Sequence, residues 1–279
     1  MSTDASIDGI EFIEFSAGRP QALGQVLELM GFRPIARHRS REVLLYRQGA
    51  MNIVVNAHQA APPADGDEDT PTIAAVAFRV RDAAHAYRRA IELGGWPVAT
   101  HVEVMELNIP AIHGAGATRL YFVDRYKEFS IYSVDFVPMP DADASHPPIA
   151  GMHWFGLVQY VARGRIDDWT EFYGALFGFT PVPEHTRFGI LSKGRILQSP
   201  CHVYLQLIEP EPGVPDLEGD ERFQRIGFGV DDVRDAVEAL RRRGVEFYES
   251  ENLHATDKGA LTRAWLGGVM FELVGDRRQ

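Results

Sequence analysis

The chain has 279 residues, of which 45% are hydrophobic and 24% charged, and a formal net charge of -11. This composition is typical of a globular protein with room for two domains. The acidic balance argues against nucleic acid or an anionic membrane surface as the main partner. A single cysteine, Cys201, excludes an intramolecular disulfide. The sequence has no apolar run of the roughly 20 residues needed to span a bilayer and no signal-peptide pattern at its N-terminus, so we expect a cytoplasmic protein with no membrane span.

The first half of the chain alternates between strand-like and helix-like patterns. Short apolar runs bounded by polar or Gly-containing turns predict strands, and apolar residues at helical spacing predict helices. In chain order, the predicted elements are the strand Ile10–Phe15, the helix Pro20–Met30, the strands Val43–Arg47 and Asn52–Asn56, a strand within Ile73–Asp82, the helix Ala83–Leu93, and the strands Leu120–Val123 and Ser130–Phe136.

The second half repeats this order at an offset of about 150 residues. Ala22–Phe32 (ALGQVLELMGF) corresponds to Trp169–Phe179 (WTEFYGALFGF), and Ile73–Asp82 corresponds to Phe223–Asp232. Gene duplication explains two such matches better than chance. The predicted elements are the strand Trp154–Val161, the helix Ile166–Phe177, the strands Phe188–Ser192 and Val203–Ile208, a strand within Phe223–Asp232, the helix Val233–Arg243, and the strands Leu261–Leu266 and Val269–Val274.

Each copy therefore reads as two βαβββ units, an α+β arrangement in which four half-units form two cupped sheets. A linker at 138–148, with four prolines, separates a module at 1–137 from a module at 149–279.

The two copies differ where a site would lie. His153 opens the second copy and Glu272 closes it. The matching stretches of the first copy contain Glu11 or Ile13 and Tyr132 or Val134. We therefore expect the N-terminal module to be structural and the C-terminal module to contain the metal or substrate site.

Three stretches of the first half, with 164–179 of the second, are similar to the 4-hydroxyphenylpyruvate dioxygenase family. They are Glu106–Ile112 (ELNIPAI), Leu120–Tyr126 (LYFVDRY) and Ser130–Phe136 (SIYSVDF). The similarity extends to hydroxymandelate synthase and to the dioxygenase-like half of bacterial dehydroshikimate dehydratase fusions. The resemblance covers nearly the whole chain and implies two tandem vicinal-oxygen-chelate modules.

The resemblance also implies a mononuclear Fe(II) site formed by two histidines and one glutamate of the second module, with open positions for oxygen and a 2-oxo acid. His153 matches the first histidine and Glu272 matches the glutamate. The family's Gln-His-Ile-Ala-Phe pattern occurs here as Gln224-Arg225-Ile226-Gly227-Phe228, so the second histidine is replaced by Arg225. Arginine has no lone pair for a metal, and a bidentate pair between Arg225 and Glu272 could fill the place of the metal.

Three further polar residues are candidates for this site. Gln206 lies on a predicted strand, and its amide oxygen could complete a metal shell with His153 and Glu272. Ser192 and Gln224 match polar family positions and could orient a substrate. Only 47 positions separate Arg225 from Glu272, and the sequence ends at Gln279, so we expect neither the family's longer insertion nor its C-terminal capping helix.

Three functions are consistent with these observations. The first is a dioxygenase-like enzyme that uses Fe(II) or another divalent metal on a small 2-oxo or hydroxy acid, with lyase or isomerase chemistry left open; two retained metal positions narrowly favour it. The second is a metal-free protein in which Arg225 replaces the cation and a small carboxylate is bound. The third is a pseudoenzyme or regulatory subunit of the same fold. The substrate and homo-oligomerisation are left open.

Overall fold

The computed structural model describes residues 6–57, 69–99, 107–116, 118–127, 129–140, 142–183, 189, 194–209, 221–249 and 254–276. The first half contains β1 (Gly9–Ser16), α1 (Pro20–Leu29), β2 (Arg33–His38), β3 (Val43–Gln48), β4 (Met51–Asn56), β5 (Thr72–Arg79), α2 (Ala83–Glu92), β6 (Ala111–His113), β7 (Arg119–Val123), α3 (Ile131–Asp135) and β8 (Phe136–Pro138).

The second half begins after a short 3-10 turn. It contains β9 (His153–Tyr160), α4 (Ile166–Phe177), β10 (Thr180–Pro181), β11 (Arg195–Gln198), β12 (Tyr204–Ile208), β13 (Arg222–Val230), α5 (Val233–Arg241), β14 (Gly259–Leu261) and β15 (Phe271–Gly275). Among the described residues, none of the helices combines the length and apolar character required to cross a bilayer.

The strands form two sheets with related connectivity. One has the order β6-β7-β5-β1-β4-β3-β2-β8 and the other β10-β11-β12-β9-β13-β15-β14. In each, the first strand of the half is central: β1 pairs parallel with β4 and antiparallel with β5, and β9 pairs parallel with β12 and antiparallel with β13. The predicted α+β class, with two tandem modules, is confirmed.

A single hydrophobic core joins the two sheets through aromatic side chains. Phe177 of α4 packs against Phe78 of β5 and Phe122 of β7, with ring centroids 4.9 and 5.7 Å apart. Phe32 of the first half meets Phe228 of the second at 5.9 Å. The sheet faces turned away from this core form two cups. We call them the N-terminal cup (Phe12, Glu14, Val43, Val54 and Tyr121) and the C-terminal cup (Phe155, Val158, Gln206, Gly227 and Glu272).

One predicted strand is wrong. Ser130–Phe136 does not run as a strand; Ile131–Asp135 is a helical turn, and the strand begins only at Phe136. The buried residues of this turn, Ile131 and Asp135, are four positions apart, which places them on one helical face instead of one strand face. The predicted strand Phe188–Ser192 lies, apart from Gly189, outside the described residues.

This difference changes which residue of the first half corresponds to Glu272. Strand β7 lies beside β5 as β15 lies beside β13. Tyr121 pairs with Ala77 across the two parallel strands, as Glu272 pairs with Gly227. Tyr121 is therefore the counterpart of Glu272, and the predicted correspondence with Tyr132 or Val134 is wrong.

Candidate functional site

The C-terminal cup contains a buried ion pair where the family resemblance places a metal. Arg225 on β13 and Glu272 on β15 are only 2% and 5% exposed. The Nε–H of Arg225 donates to Oε2 of Glu272 at 2.9 Å, and its Nη1 donates to Oε1 of Gln224 at 3.1 Å. The two charges thus meet as the sequence suggested, through one hydrogen bond instead of a bidentate pair.

The second oxygen of the Glu272 carboxylate is covered by backbone. Gly189 has a φ of +60°, and a Cβ on it would collide with Oε1 of Glu272. A Cβ on Gly259, at the start of β14, would in turn lie 2.7 Å from Cα of Gly189. The chain at Gly189 therefore packs directly over the carboxylate, and only glycine fits there in that conformation.

The imidazole of His153 has other partners. It lies over Gly229 of β13, where a Cβ would collide with the ring. Its Nδ1 is 3.1 Å from the carbonyl oxygen of Gly151, and its Nε2 is 3.1 Å from Oδ2 of Asp276. Both ring nitrogens therefore face oxygen acceptors. The sequence analysis did not single out Asp276, although it follows β15 directly and so comes to the start of β9.

The three other predicted site residues differ in how close they lie to the pair of Arg225 and Glu272. Gln206 and Glu272 line one small cavity of about 30 Å³ in the C-terminal cup. Gln224 lies beside Arg225 and accepts its hydrogen bond. Ser192 lies outside the described residues.

These side chains do not fit a facial-triad metal site. A cationic guanidinium occupies the place of the second histidine and binds the carboxylate that would ligate the metal. Both nitrogens of His153 contact acceptor oxygens. In the part of the chain that the structure describes, no three His, Cys, Asp or Glu side chains are grouped to hold a metal ion. The proposed set of His153, Gln206 and Glu272 thus remains a prediction that this arrangement does not favour.

A larger cavity adjoins Arg225 on its other side, and we call it the interface cavity. Its volume is about 350 Å³, and both halves of the chain line it. Its lining includes two arginines, Arg222 and Arg225, and no aspartate or glutamate among the described residues. The Nη2 of Arg225 is buried and has no hydrogen-bond partner in the described part of the chain. Other lining residues are Phe15, Thr72, Tyr160, Gln224 and Tyr248.

Fold and site together define a tandem vicinal-oxygen-chelate protein. Residues 151–272 match the model of the Glyoxalase/Bleomycin resistance protein/Dioxygenase superfamily, and residues 2–137 match that of Hydroxyphenylpyruvate dioxygenase, HPPD, N-terminal. The chain is 43% identical over 255 residues to 4-hydroxyphenylpyruvate dioxygenase of Pseudomonas sp. (strain P.J. 874), covering 86% of this chain and 70% of that protein. It belongs to the 4-hydroxyphenylpyruvate dioxygenase family, as the sequence predicted.

Two further proteins are similar to this chain. The 3-dehydroshikimate dehydratase of Pseudomonas aeruginosa is 37% identical over 202 residues, which are 70% of this chain and 31% of that protein. The structure of a triple mutant of 4-hydroxymandelate synthase from Streptomyces coelicolor superimposes with a TM-score of 0.74 at 20% identity, over 96% of this chain and 92% of that one. At this identity the match shows the fold alone.

Proposed function

We propose that this chain is a member of the 4-hydroxyphenylpyruvate dioxygenase family that binds a small carboxylate, of the 2-oxo or hydroxy acid class, without a metal. Arg225 takes the place of the metal as the partner of the anion. The observation that carries the proposal is the buried Nη2 of Arg225, which has no hydrogen-bond partner among the described residues. Arg225 also lines the interface cavity.

An unpaired buried donor is costly, and a carboxylate removes the cost. Leaving such a group unsatisfied costs about 1–3 kcal/mol, and more when the group is charged. A carboxylate oxygen accepts from a guanidinium through a charge-assisted hydrogen bond, roughly twice as strong as a neutral one. Arg225 has its counter-charge in Glu272, and Arg222 is a second cationic side chain in the lining. At about 350 Å³ the cavity is also large enough for a small ligand.

The neighbours of Arg225 hold its guanidinium in a fixed orientation. Glu272 accepts from Nε and Gln224 accepts from Nη1, so two of its three nitrogens are committed. The third nitrogen, Nη2, then has little remaining rotational freedom. Such preorganisation lowers the entropy lost when a ligand binds. We assign no metal-dependent step, because the residues present do not fit a metal.

The Glu272→Gln variant separates this proposal from the metal-dependent enzyme. The substitution keeps the size of the side chain and removes the carboxylate that competes for Arg225. We expect it to strengthen binding of 4-hydroxyphenylpyruvate by about tenfold, the order of one charge-assisted hydrogen bond. If His153, Gln206 and Glu272 held a metal instead, the same variant would replace an anionic ligand with a weaker neutral amide and bind the acid more weakly. Isothermal titration calorimetry measures the difference.

Chelation and metal addition provide the control. We expect the titration to be unchanged by EDTA and by added Fe(II), Mn(II) or Zn(II). We expect the paired variant Arg225→Met/Glu272→Leu, which replaces both charges together, to bind the acid at least tenfold more weakly while remaining folded. Binding that requires a metal, or that survives in the paired variant, would overturn the proposal.

A further inference from the structure

The N-terminal cup encloses a cavity of about 200 Å³ that shares no lining residue with the interface cavity. Its walls combine aromatic side chains with two buried acids, Glu14 and Asp135, and two arginines that are more exposed, Arg41 and Arg119. An engineered apolar cavity of roughly 150 Å³ is enough to bind benzene. The N-terminal cup therefore has room for one six-membered ring with a polar substituent.

The polar part of this cavity is built on Glu14 and Arg119, from β1 and β7. Glu14 is only 6% exposed. Its Oε1 accepts from Nδ2 of Asn56 at 2.9 Å and from Nη2 of Arg119 at 2.8 Å. Oε2 of Glu14 and Nε and Nη1 of Arg119 take no part in these two hydrogen bonds. A largely buried carboxylate and a partly exposed guanidinium thus lie next to each other at the cavity.

Four aromatic side chains, Phe12, Tyr121, Tyr132 and Phe136, also line the cavity. The ring of Phe12 is 5.9 Å from that of Tyr121, and the guanidinium of Arg119 lies over Tyr121 at 5.7 Å. The rings of Tyr132 and Phe136 meet edge to face at 5.8 Å. Burial raises the pKa of both tyrosine hydroxyls, so these walls are uncharged near neutral pH. Aromatic rings favour offset or edge-to-face contact with a further ring.

The lining of this cavity has two positive and two negative side chains. The interface cavity differs, because its described lining has arginines and no acid. Arg41 and Arg119 are matched by Glu14 and Asp135. A carboxylate would leave the site with a net negative charge, and an ammonium would leave it positive. A phenolic hydroxyl is uncharged and can donate and accept at once, so it matches an acceptor and a donor lying side by side.

We infer that the N-terminal cup is a second binding site and that it takes a small uncharged phenol. The hydroxyl donates to Oε2 of Glu14 and accepts from the guanidinium of Arg119, while the ring packs between Tyr121 and Phe136. The N-terminal module would then bind a ligand and would not be purely structural. This site does not depend on the metal-free carboxylate site, because the two cavities have separate linings.

Titration calorimetry with phenol, catechol and benzoate tests the inference. We expect wild-type protein to bind the phenols more tightly than benzoate. Glu14→Gln removes the charged acceptor and leaves Arg119 unbalanced, so phenol affinity should fall by about tenfold or more while benzoate affinity rises. Val54→Phe fills the cavity from β4 and should abolish binding of both.

The paired variant Arg225→Met/Glu272→Leu is the control for location, and phenol affinity should be unchanged in it. Thermal unfolding shows that each variant is folded, and Glu14→Gln and Val54→Phe perturb the site by different means. The inference is overturned if phenols fail to bind at millimolar concentration or bind no better than benzoate. It is also overturned if both cup variants leave phenol binding intact.

Discussion

Arg225 places a positively charged side chain where the family has a metal-binding histidine. A histidine at this position could share a lone pair with a metal beside Glu272, whereas a guanidinium is a permanent cation. Because both side chains are at least 95% buried, neither charge can be solvated alone. The pair is therefore interdependent: each member makes the burial of the other tolerable.

This interdependence predicts opposite outcomes for single and paired substitutions. Arg225→Met leaves the Glu272 carboxylate buried without its cation, and we expect the free energy of unfolding to fall by about 3–5 kcal/mol. Arg225→Met/Glu272→Leu removes both charges and should recover most of that loss. Urea denaturation of the wild type and the two variants measures the difference. A paired variant less stable than the single one would contradict the interpretation.

The sequence revealed this substitution but not the surroundings of the site. The pattern Gln224-Arg225-Ile226 is visible in the sequence because the flanking residues keep the family motif. The partner of His153 is not, because Asp276 reaches it only once β9 and β15 lie in one sheet with β13 between them. The backbone at Gly189 that covers Glu272 is equally non-local.

At the scale of single elements, the duplication preserves the starts of two helices. Asp82 caps α2 by accepting from the backbone N–H of His85 at 2.8 Å. Asp232 caps α5 by accepting from the N–H groups of Arg234 and Asp235 at 2.8 and 3.1 Å. Both caps fall at the aspartate that ends the repeated strand motif, so these helices could be placed from the sequence to within two residues.

We expect Asp232→Ala to lower the free energy of unfolding by about 1 kcal/mol, the usual cost of losing an N-cap. The physical reason is that two backbone N–H groups at the start of α5 lose their acceptor. Asp232→Ser, which can still accept from the backbone, should retain most of the stability. Chemical denaturation checks both variants, and an equal loss in the two would contradict a capping role.

Elements without a duplicate were predicted less well. Among the described residues of the second half, no element corresponds to Ser130–Phe136, and the sequence of this stretch predicts a strand. The buried pair Ile131 and Asp135 instead follows a helical period, and Asp135 is held by the backbone N–H of Leu107 at 3.1 Å. The helical turn is thus tied to a residue 28 positions away, and local pattern alone does not contain such a contact.

At the scale of the whole molecule, buried tyrosines make stability depend on alkaline pH. Burial, and then the nearby Glu11 carboxylate, raise the pKa of Tyr132 well above 10.0. The fold therefore favours the protonated phenol, and the unfolded chain loses this proton first. The contribution is complete below about pH 9 and is lost as the pH rises through the folded-state pKa. We expect the free energy of unfolding to fall between about pH 9 and pH 11, and to fall less in Tyr132→Phe; an equal fall in both would contradict this.

The shared aromatic core predicts that the two modules unfold together. Phe177 is fully buried between Phe78 and Phe122 of the other module, so no solvent-filled boundary divides the core there. Phe177→Ala should cost about 3–5 kcal/mol, because it leaves a cavity on both sides of the junction. Differential scanning calorimetry should show one transition at a lower temperature, since each module loses part of its own packing.

The exposed Phe129, 82% accessible, supplies the matched control for this experiment. Phe129→Ala removes the same side chain from a site that packs against little, and its effect should stay within about 0.5 kcal/mol. Two separate transitions in Phe177→Ala, with only one displaced, would mean that the modules are stable independently. A single displaced transition would mean that the duplicated halves depend on each other for stability.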